Sequence, residues 1–259
     1  MEQRWVSSLK LLVKSVLKNI SSSIIAIVIW PFALIAFAIA ASTYLIAAFF
    51  ISPKRLHPLA RFLCRAMLLS GGQIIKVEGE IPNPKGGPYL YLFNHQSMLD
   101  QFLIASVVKE YISAVGGDFQ FSWPIWGRLI KRYGAIPIVR ENIKKAIYSL
   151  NLAEDELRKG TSFLISPEGT RTLNGKMGAF KKGPFHLSLN TGTTIIPIGI
   201  IGAFDSKQKN DWRIYPGVVT VKFGEPVKKD FFLNMSVEEL RDDIRERISA
   251  LCQDDLVAV

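Results

Sequence analysis

Tyr89-Leu90-Tyr91-Leu92-Phe93-Asn94-His95-Gln96-Ser97-Met98-Leu99-Asp100 is the stretch on which the reading of this chain turns. Its first five residues are apolar or aromatic and uncharged, the mark of a buried strand. The run stops at Asn94-His95, and from Ser97 the apolar residues Met98, Leu99, Phe102, Leu103 and Ile104 fall into a helical pattern. His95 therefore stands on a turn that leaves a strand and enters a helix, with Asp100 in the first helical turn. In one continuous helix, five residues would swing the two side chains well apart around the cylinder. From a turn, the carboxylate can reach back to an imidazole nitrogen, the base-plus-orienter pair of acyl-transfer chemistry. The same residues fit a capping box variant, with Ser97 as N-cap and an acid three residues on that the helix dipole favours. The two roles are compatible, and the stretch alone leaves both open.

Downstream, the chain from residue 73 alternates strand-like and helix-like segments, which predicts an α/β fold with a mixed sheet of about seven strands flanked by helices. Strands are expected at 73–80, 89–94, 112–115, 135–139, 162–166, 194–201 and 218–223. Helices are expected at 97–110, 124–133, 141–159, 180–190 and 237–252. Gly160 ends the third helix, and the capping box Ser236-Val237-Glu238-Glu239 opens the last. Pro197 inside an apolar strand marks an edge or a bulge, because proline donates no ladder hydrogen bond.

Upstream, the sequence changes character. Trp5, Leu9, Leu12, Val13, Val16 and Leu17 recur at helical spacing with Lys10, Lys14 and Lys18 on another face, a basic amphipathic helix suited to a bilayer interface. Asn19 to Pro53 then carries no charge. A span needs roughly 20 apolar residues, so this run suffices for one tilted span and not for two. Pro31 can break or kink it. Basic residues flank both ends, so the positive-inside rule assigns no orientation. A re-entrant hairpin with both basic ends on one side is the expected arrangement. Ala38-Ile39-Ala40 resembles a cleavage site, but the apolar run continues past it, against a cleaved signal. Residues 1–70 thus read as a membrane-associated helical segment and residues 71–259 as the α/β domain.

Composition narrows the chemistry. Lys and Arg number 32 against 22 Asp and Glu, a net charge of +10. Arg4, Lys10, Lys14, Lys18, Lys54, Arg55, Arg61 and Arg65 stand in the first 70 residues with Glu2 as their only acid. The excess therefore surrounds the apolar run, where it suits anionic lipid head groups. No nucleic-acid-binding motif accompanies it. Cys64 and Cys252 imply neither a disulfide framework nor a zinc site. His57, His95 and His186, with no HExxH pattern, give no reason to expect a metal. Gly169 to Gly175-Lys176 imitates a P-loop but has five intervening residues and Met177 where Ser or Thr is required. There is no GxSxG elbow for a serine hydrolase.

A second apolar strand runs into a polar turn at Ile165-Ser166-Pro167-Glu168-Gly169-Thr170-Arg171, which puts that turn at the same sheet edge as His95. Gly169 permits close backbone approach, and Arg171 offers a planar fork suited to phosphate. Lys181 and Lys182 follow in Phe180-Lys181-Lys182-Gly183, although such a pair also reads as a solvated helix start. Gly134-Ala135-Ile136-Pro137-Ile138-Val139-Arg140 supplies a second candidate phosphate-binding arginine on a neighbouring strand.

Taken in order, Asn94–Asp100, Gly134–Arg140, Ser166–Arg171 and Ile195–Ile198 resemble the NHxSxxD, GxIxxxR, FPEGTR and proline-bearing blocks of the glycerolipid acyltransferase family. The resemblance covers about residues 73–225, and is strongest to its bacterial 1-acyl-sn-glycerol-3-phosphate acyltransferases. It implies transfer of an acyl group from acyl-CoA or acyl carrier protein to the sn-2 hydroxyl of lysophosphatidic acid. His95 would be the general base and Asp100 its orienter. Asn94, Ser97, Arg140, Glu168, Gly169, Thr170, Arg171, Lys181 and Lys182 would form the substrate-binding set. Membrane lipids and the thioester donor are the implied partners, with no cofactor, no metal and no nucleic acid. The domain would work on the cytoplasmic face of the inner membrane. A different lysolipid acceptor, a hydrolase or transacylase on the same scaffold, or a non-enzymatic membrane adaptor are the alternatives. Two departures stand out: Ser166 replaces the usual aromatic, and Gly117-Asp118 stands where the family often carries a phosphate-binding lysine.

Overall fold

The computed structural model describes residues 2–253, with side chains from residue 14 onward except those of residues 15 and 18. Two helices come first, α1 (Glu2–Phe50) and α2 (Pro53–Ser70). They are followed by β1 (Gln73–Glu78), β2 (Tyr89–Phe93), α3 (Asp100–Val107), β3 (Ile112–Gly117), α4 (Trp126–Tyr133) and β4 (Ile136–Ile138). The chain continues through α5 (Ile143–Arg158), β5 (Ser162–Ile165), α6 (Gly183–Thr191), β6 (Thr194–Ile201), α7 (Ala203–Ser206), β7 (Gly217–Phe223), α8 (Lys229–Phe232) and α9 (Val237–Gln253). The sheet order is β1-β7-β6-β2-β5-β3-β4. Neighbours run parallel except β6 and β7. The carboxyl ends of β6, β2, β5, β3 and β4 therefore share one edge.

β2 is central and buried along its whole length. Period-two geometry sends Tyr89, Tyr91 and Phe93 into a core with α2 and α3, and Leu90 and Leu92 into another with α5, α6 and α9. A strand wetted on neither face needs no polar alternation, which is why its sequence is one unbroken apolar run.

Pro197 is not on an edge strand, because β6 lies between β7 and β2. It sits instead at a gap in the β6–β7 ladder. Ile198 pairs with Phe223 on one side of it and Ile195 bridges to Val227 on the other, so the missing N–H falls where the partner chain leaves the ladder. The helix expected from Ser97 starts three residues later, at Asp100, after a turn in which the Ser97 hydroxyl accepts the Leu99 N–H and donates to the distant Lys207 carbonyl. α2, α7 and α8 carried no expectation of their own.

α1 corrects the hairpin. It continues through Pro31 without reversing. A proline within a helix gives up one backbone bond, whereas a reversal in apolar surroundings would leave several groups unpaired. The chain reverses instead at Ile51-Ser52, just before the Pro53 that opens α2. From there α1 lies along the α/β domain. Asn19 accepts from Arg213, Trp30 donates to the Trp212 carbonyl, Phe37 meets Trp126, Tyr44 meets Tyr133, and Arg132 donates to the Ala48 carbonyl. Within α1, Asn19–Phe50 is long and apolar enough to cross a membrane. Most side chains of the amphipathic face expected over residues 5–18 lie outside the described residues.

Candidate active site

Asn94 fixes the start of the turn. Its amide donates to the Ile200 carbonyl at 2.9 Å and accepts from the Ile200 N–H at 2.7 Å, stapling β2 to β6. His95 Nδ1 then lies 2.7 Å from Asp100 Oδ2, and the same oxygen accepts the Gln96 and Ser97 N–H groups at 2.7 and 2.9 Å. The carboxylate thus makes both contacts that the sequence left open. Ser97 is not the N-cap, however. Its hydroxyl accepts the Leu99 N–H at 3.3 Å and donates to the Lys207 carbonyl at 2.8 Å, holding a turn at residues 98–99 ahead of the helix that begins at Asp100. With Nδ1–H donating to a carboxylate, Nε2 carries the lone pair. The His95 side chain is 20% exposed and that of Asp100 fully buried.

Glu168 braces this turn from the neighbouring strand. Its two oxygens accept the His95 and Gly178 N–H groups, each at 2.7 Å. Burial pushes its pKa up, and these two N–H groups oppose the shift. Asn94, Ser97 and Glu168, expected to touch substrate, are therefore occupied with holding the loops around His95. Gly178 was not anticipated, since a glycine ten residues beyond an acid carries no local signal.

The expected cations divide. Gly169 has φ +68°, and a Cβ there would stand 3.2 Å from Lys181 Cε. The bare backbone lets Lys181 lie across the turn, and both residues line the cavity beside His95. Lys182 points elsewhere, paired with Glu238 of α9. Arg140 also lines the cavity, its Cζ 3.6 Å from the place a Cβ on Gly117 would take. The guanidinium thus fills the ground above Gly117, where a lysine is missing. Burial lowers the Arg140 pKa, Glu141 and Asp118 oppose this, and the Arg171 charge adds to it. The two arginines do not end neighbouring strands, because β3 lies between β4 and β5. Arg171 is half-buried and has no hydrogen-bond partner among the described residues; burial lowers its pKa against the pull of Asp100. Thr170 is exposed and accepts a hydrogen bond from Lys209 at 3.2 Å.

The cavity beside His95 has a volume of 370 Å³. Arg140 and Lys181 charge part of its wall, and Phe93, Ile143, Ile147 and Leu150 make much of the rest apolar. A second, apolar cavity of 130 Å³ lies among α1, α2, α3 and α4, and Gln101, Ala114 and Leu164 line both. Among the described residues, no group of three or more His, Cys, Asp or Glu is arranged to hold a metal ion. An oriented imidazole with a free lone pair, cations for an anionic group and an adjoining apolar volume together suit proton abstraction from a hydroxyl on an amphiphile.

The profile of the family described as Acyltransferase matches residues 74–201. A coconut (Cocos nucifera) 1-acyl-sn-glycerol-3-phosphate acyltransferase is 33% identical over 187 residues, 71% of this chain and 58% of the coconut protein. A probable enzyme of the same name from Mycoplasma pneumoniae is 27% identical over 225 residues, 78% of this chain and 83% of the relative. Against the plant and algal relatives the chain spans only part of their length, 36% for the chloroplast protein of Arabidopsis thaliana. In fold, the chain is similar to the crystal structure of PlsC, the 1-acyl-sn-glycerophosphate acyltransferase of Thermotoga maritima. The TM-score is 0.79 at 23% identity, covering 92% of this chain and 98% of that one.

Proposed function

This chain belongs to the acyltransferase family, and on that premise we propose that it transfers a fatty acyl group from acyl-CoA or acyl carrier protein to the sn-2 hydroxyl of lysophosphatidic acid, giving phosphatidic acid in phospholipid biosynthesis. The observation that carries this reading is the 2.7 Å contact between His95 Nδ1 and buried Asp100, on a cavity with charged and apolar walls. His95 Nε2 takes the hydroxyl proton as the oxygen attacks the thioester carbonyl. The tetrahedral oxyanion collapses, the C–S bond breaks, and the imidazolium returns the proton to the departing thiolate. Asp100 keeps Nδ1 protonated and stabilises the imidazolium. Arg140, Lys181 and Arg171 receive the phosphate of the acceptor. The apolar cavity reaching Phe37 and Tyr44 of α1 suits an acyl chain.

Residues 1–70 seat the enzyme on the membrane and residues 71–259 carry the reaction. α1 touches the α/β domain from Asn19 to Ala48, a distance of about 44 Å at the helical rise per residue. The hydrocarbon core is about 30 Å thick, so a transverse span would drag the domain into the bilayer. α1 is therefore read as embedded in one leaflet, with the catalytic domain on the cytoplasmic face of the inner membrane, where the thioester donors are found.

The test is thioester consumption by purified protein in mixed micelles, with and without lysophosphatidic acid. Consumption should require the lysolipid, yield phosphatidic acid and fall at least 10³-fold in His95→Ala, the scale of losing a general base that orients its nucleophile. Consumption without any acceptor would make it a hydrolase. Turnover that survives His95→Ala would overturn the mechanism.

A further inference from the structure

Outside the motifs, a second set of cations gathers at Arg171. Lys207, on the loop after α7, is only 6% exposed, and its ammonium donates to the backbone carbonyls of Gln208 and Asp211. Burial lowers its pKa and the Arg171 charge lowers it further, against Asp211. Two residues on, the Lys209 ammonium stands 3.2 Å from the hydroxyl of Thr170, the residue next to Arg171. The loop is held in register with the catalytic turn. Ser97 donates to the Lys207 carbonyl at 2.8 Å, and the Thr172 N–H donates to the His95 carbonyl at 2.9 Å. Asp100, the carboxylate whose charge Arg171 feels, is already engaged by His95, Gln96 and Ser97. Asp211, the acid that acts on Lys207, is bound by Arg213 and Tyr215. Like charges held together under partial burial, with both neighbouring acids occupied, are unfavourable until an anion arrives.

We propose that Lys207 and Lys209 complete the phosphate site of the acceptor, with Lys209 selecting a phosphate monoester over a diester. The inference rests on the reaction proposed above and deepens it. Arg171 supplies a fork for two phosphate oxygens, and Lys207 a fixed charge behind it. A monoester carries a charge of about −1.5 to −2 at neutral pH, whereas a diester carries only one negative charge. Lys209, exposed and flexible, meets the extra charge. This cation comes from a loop that the four sequence blocks do not include, and it offsets the absence of a lysine at Gly117-Asp118.

Full-length wild type, Lys209→Met, Lys209→Arg and Lys85→Met are compared in neutral-detergent micelles with two acceptors, lysophosphatidic acid and lysophosphatidylglycerol. Where the diester is not turned over, its inhibition constant is measured instead. Lys209→Met should raise the KM for lysophosphatidic acid roughly five- to tenfold, as loss of one charge-assisted contact at a partly solvated site would. Its kcat and thioester KM should not change, and its affinity for the diester should change less than twofold. Lys209→Arg should restore the wild-type preference. Lys85→Met, an exposed lysine at the far end of β2, should behave as wild type. A Lys209→Met protein whose KM for the monoester stays within twofold of wild type overturns the inference, and so do equal losses for both acceptors. Wild type that does not acylate lysophosphatidic acid at all overturns the reaction itself, and the inference with it.

Discussion

Replacing Asp100 by asparagine separates catalysis from architecture at the His95 turn. The two side chains are nearly isosteric, so the amide oxygen can keep the Gln96 and Ser97 N–H groups that Oδ2 now accepts. What goes is the charge on three short bonds, each worth about 1 kcal/mol more when ionic than when neutral. The amide NH₂ would also replace Oδ1, a buried atom with no hydrogen-bond partner among the described residues, and an unpaired buried donor costs about 1–3 kcal/mol. Relief of the buried charge offsets part of this, so a net loss near 2 kcal/mol is expected. Catalysis should suffer far more. A neutral amide supports the imidazolium poorly and can stabilise the wrong tautomer, so kcat should fall about 10³-fold, a barrier rise of about 4 kcal/mol. Both KM values should stay within about threefold, because Asp100 does not reach substrate. The assay pairs initial rates in mixed micelles with a thermal unfolding midpoint in the same detergent. A folded Asp100→Asn protein with kcat within tenfold of wild type would refute the reasoning and leave Asp100 as a turn cap alone.

Lys181→Ala should raise the acceptor KM roughly fivefold, whereas Lys182→Ala should leave it unchanged because that ammonium is paired with Glu238; equal effects on acceptor titrations would count against this division. Glu168→Gln can no longer accept both the His95 and Gly178 N–H groups. It should lose roughly 2 kcal/mol in denaturant unfolding and about tenfold in kcat, and an unfolding midpoint equal to wild type would remove Glu168 as the brace. Burial pulls the pKa of His57 from the usual 6.5 down to about 4, between Tyr133 Oη and the Val108 carbonyl. Its folded value lies below its unfolded one, so its contribution is complete above pH 6.5 and is lost as pH falls toward 4, by up to about 3 kcal/mol. Unfolding midpoints at pH 7 and 5 should show a steeper loss in wild type than in His57→Gln. In a Cys64→Ala, Cys252→Ala background, Gln3→Cys and Lys54→Cys should both be labelled from the same side of sealed vesicles; labelling from opposite sides would restore a transverse span.

Much of the site was legible because it is local. The run Tyr89–Phe93 announces a doubly buried strand through the absence of any polar residue, and a five-residue interval across a turn is short enough for Asp100 to reach His95 whatever surrounds them. Gly169 and Arg171 follow β5 as directly as His95 follows β2, so their common edge needed only that the two strands be parallel. The boundaries of the helix after His95 were less legible, because the Ser97 hydroxyl that accepts the local Leu99 N–H is also tied to the Lys207 carbonyl, 110 residues away.

Charge and periodicity along the chain by themselves determined the α/β class, the strand positions, the apolar N-terminal helix and the histidine–aspartate pair. Each of these depends on neighbours within a few residues. Only the tertiary structure decided that β3 separates β4 from β5, that Arg140 lies over Gly117, and that Lys182 turns to α9 while Lys181 crosses Gly169. It also decided that Asn94, Ser97 and Glu168 hold backbone, and that Lys207 and Lys209 arrive beside Arg171 from a loop with no motif. The physical reason is common to all of them. A polar side chain satisfies whichever partner packing brings within about 3 Å, and that partner is chosen by strand order and helix placement, which no local spacing encodes.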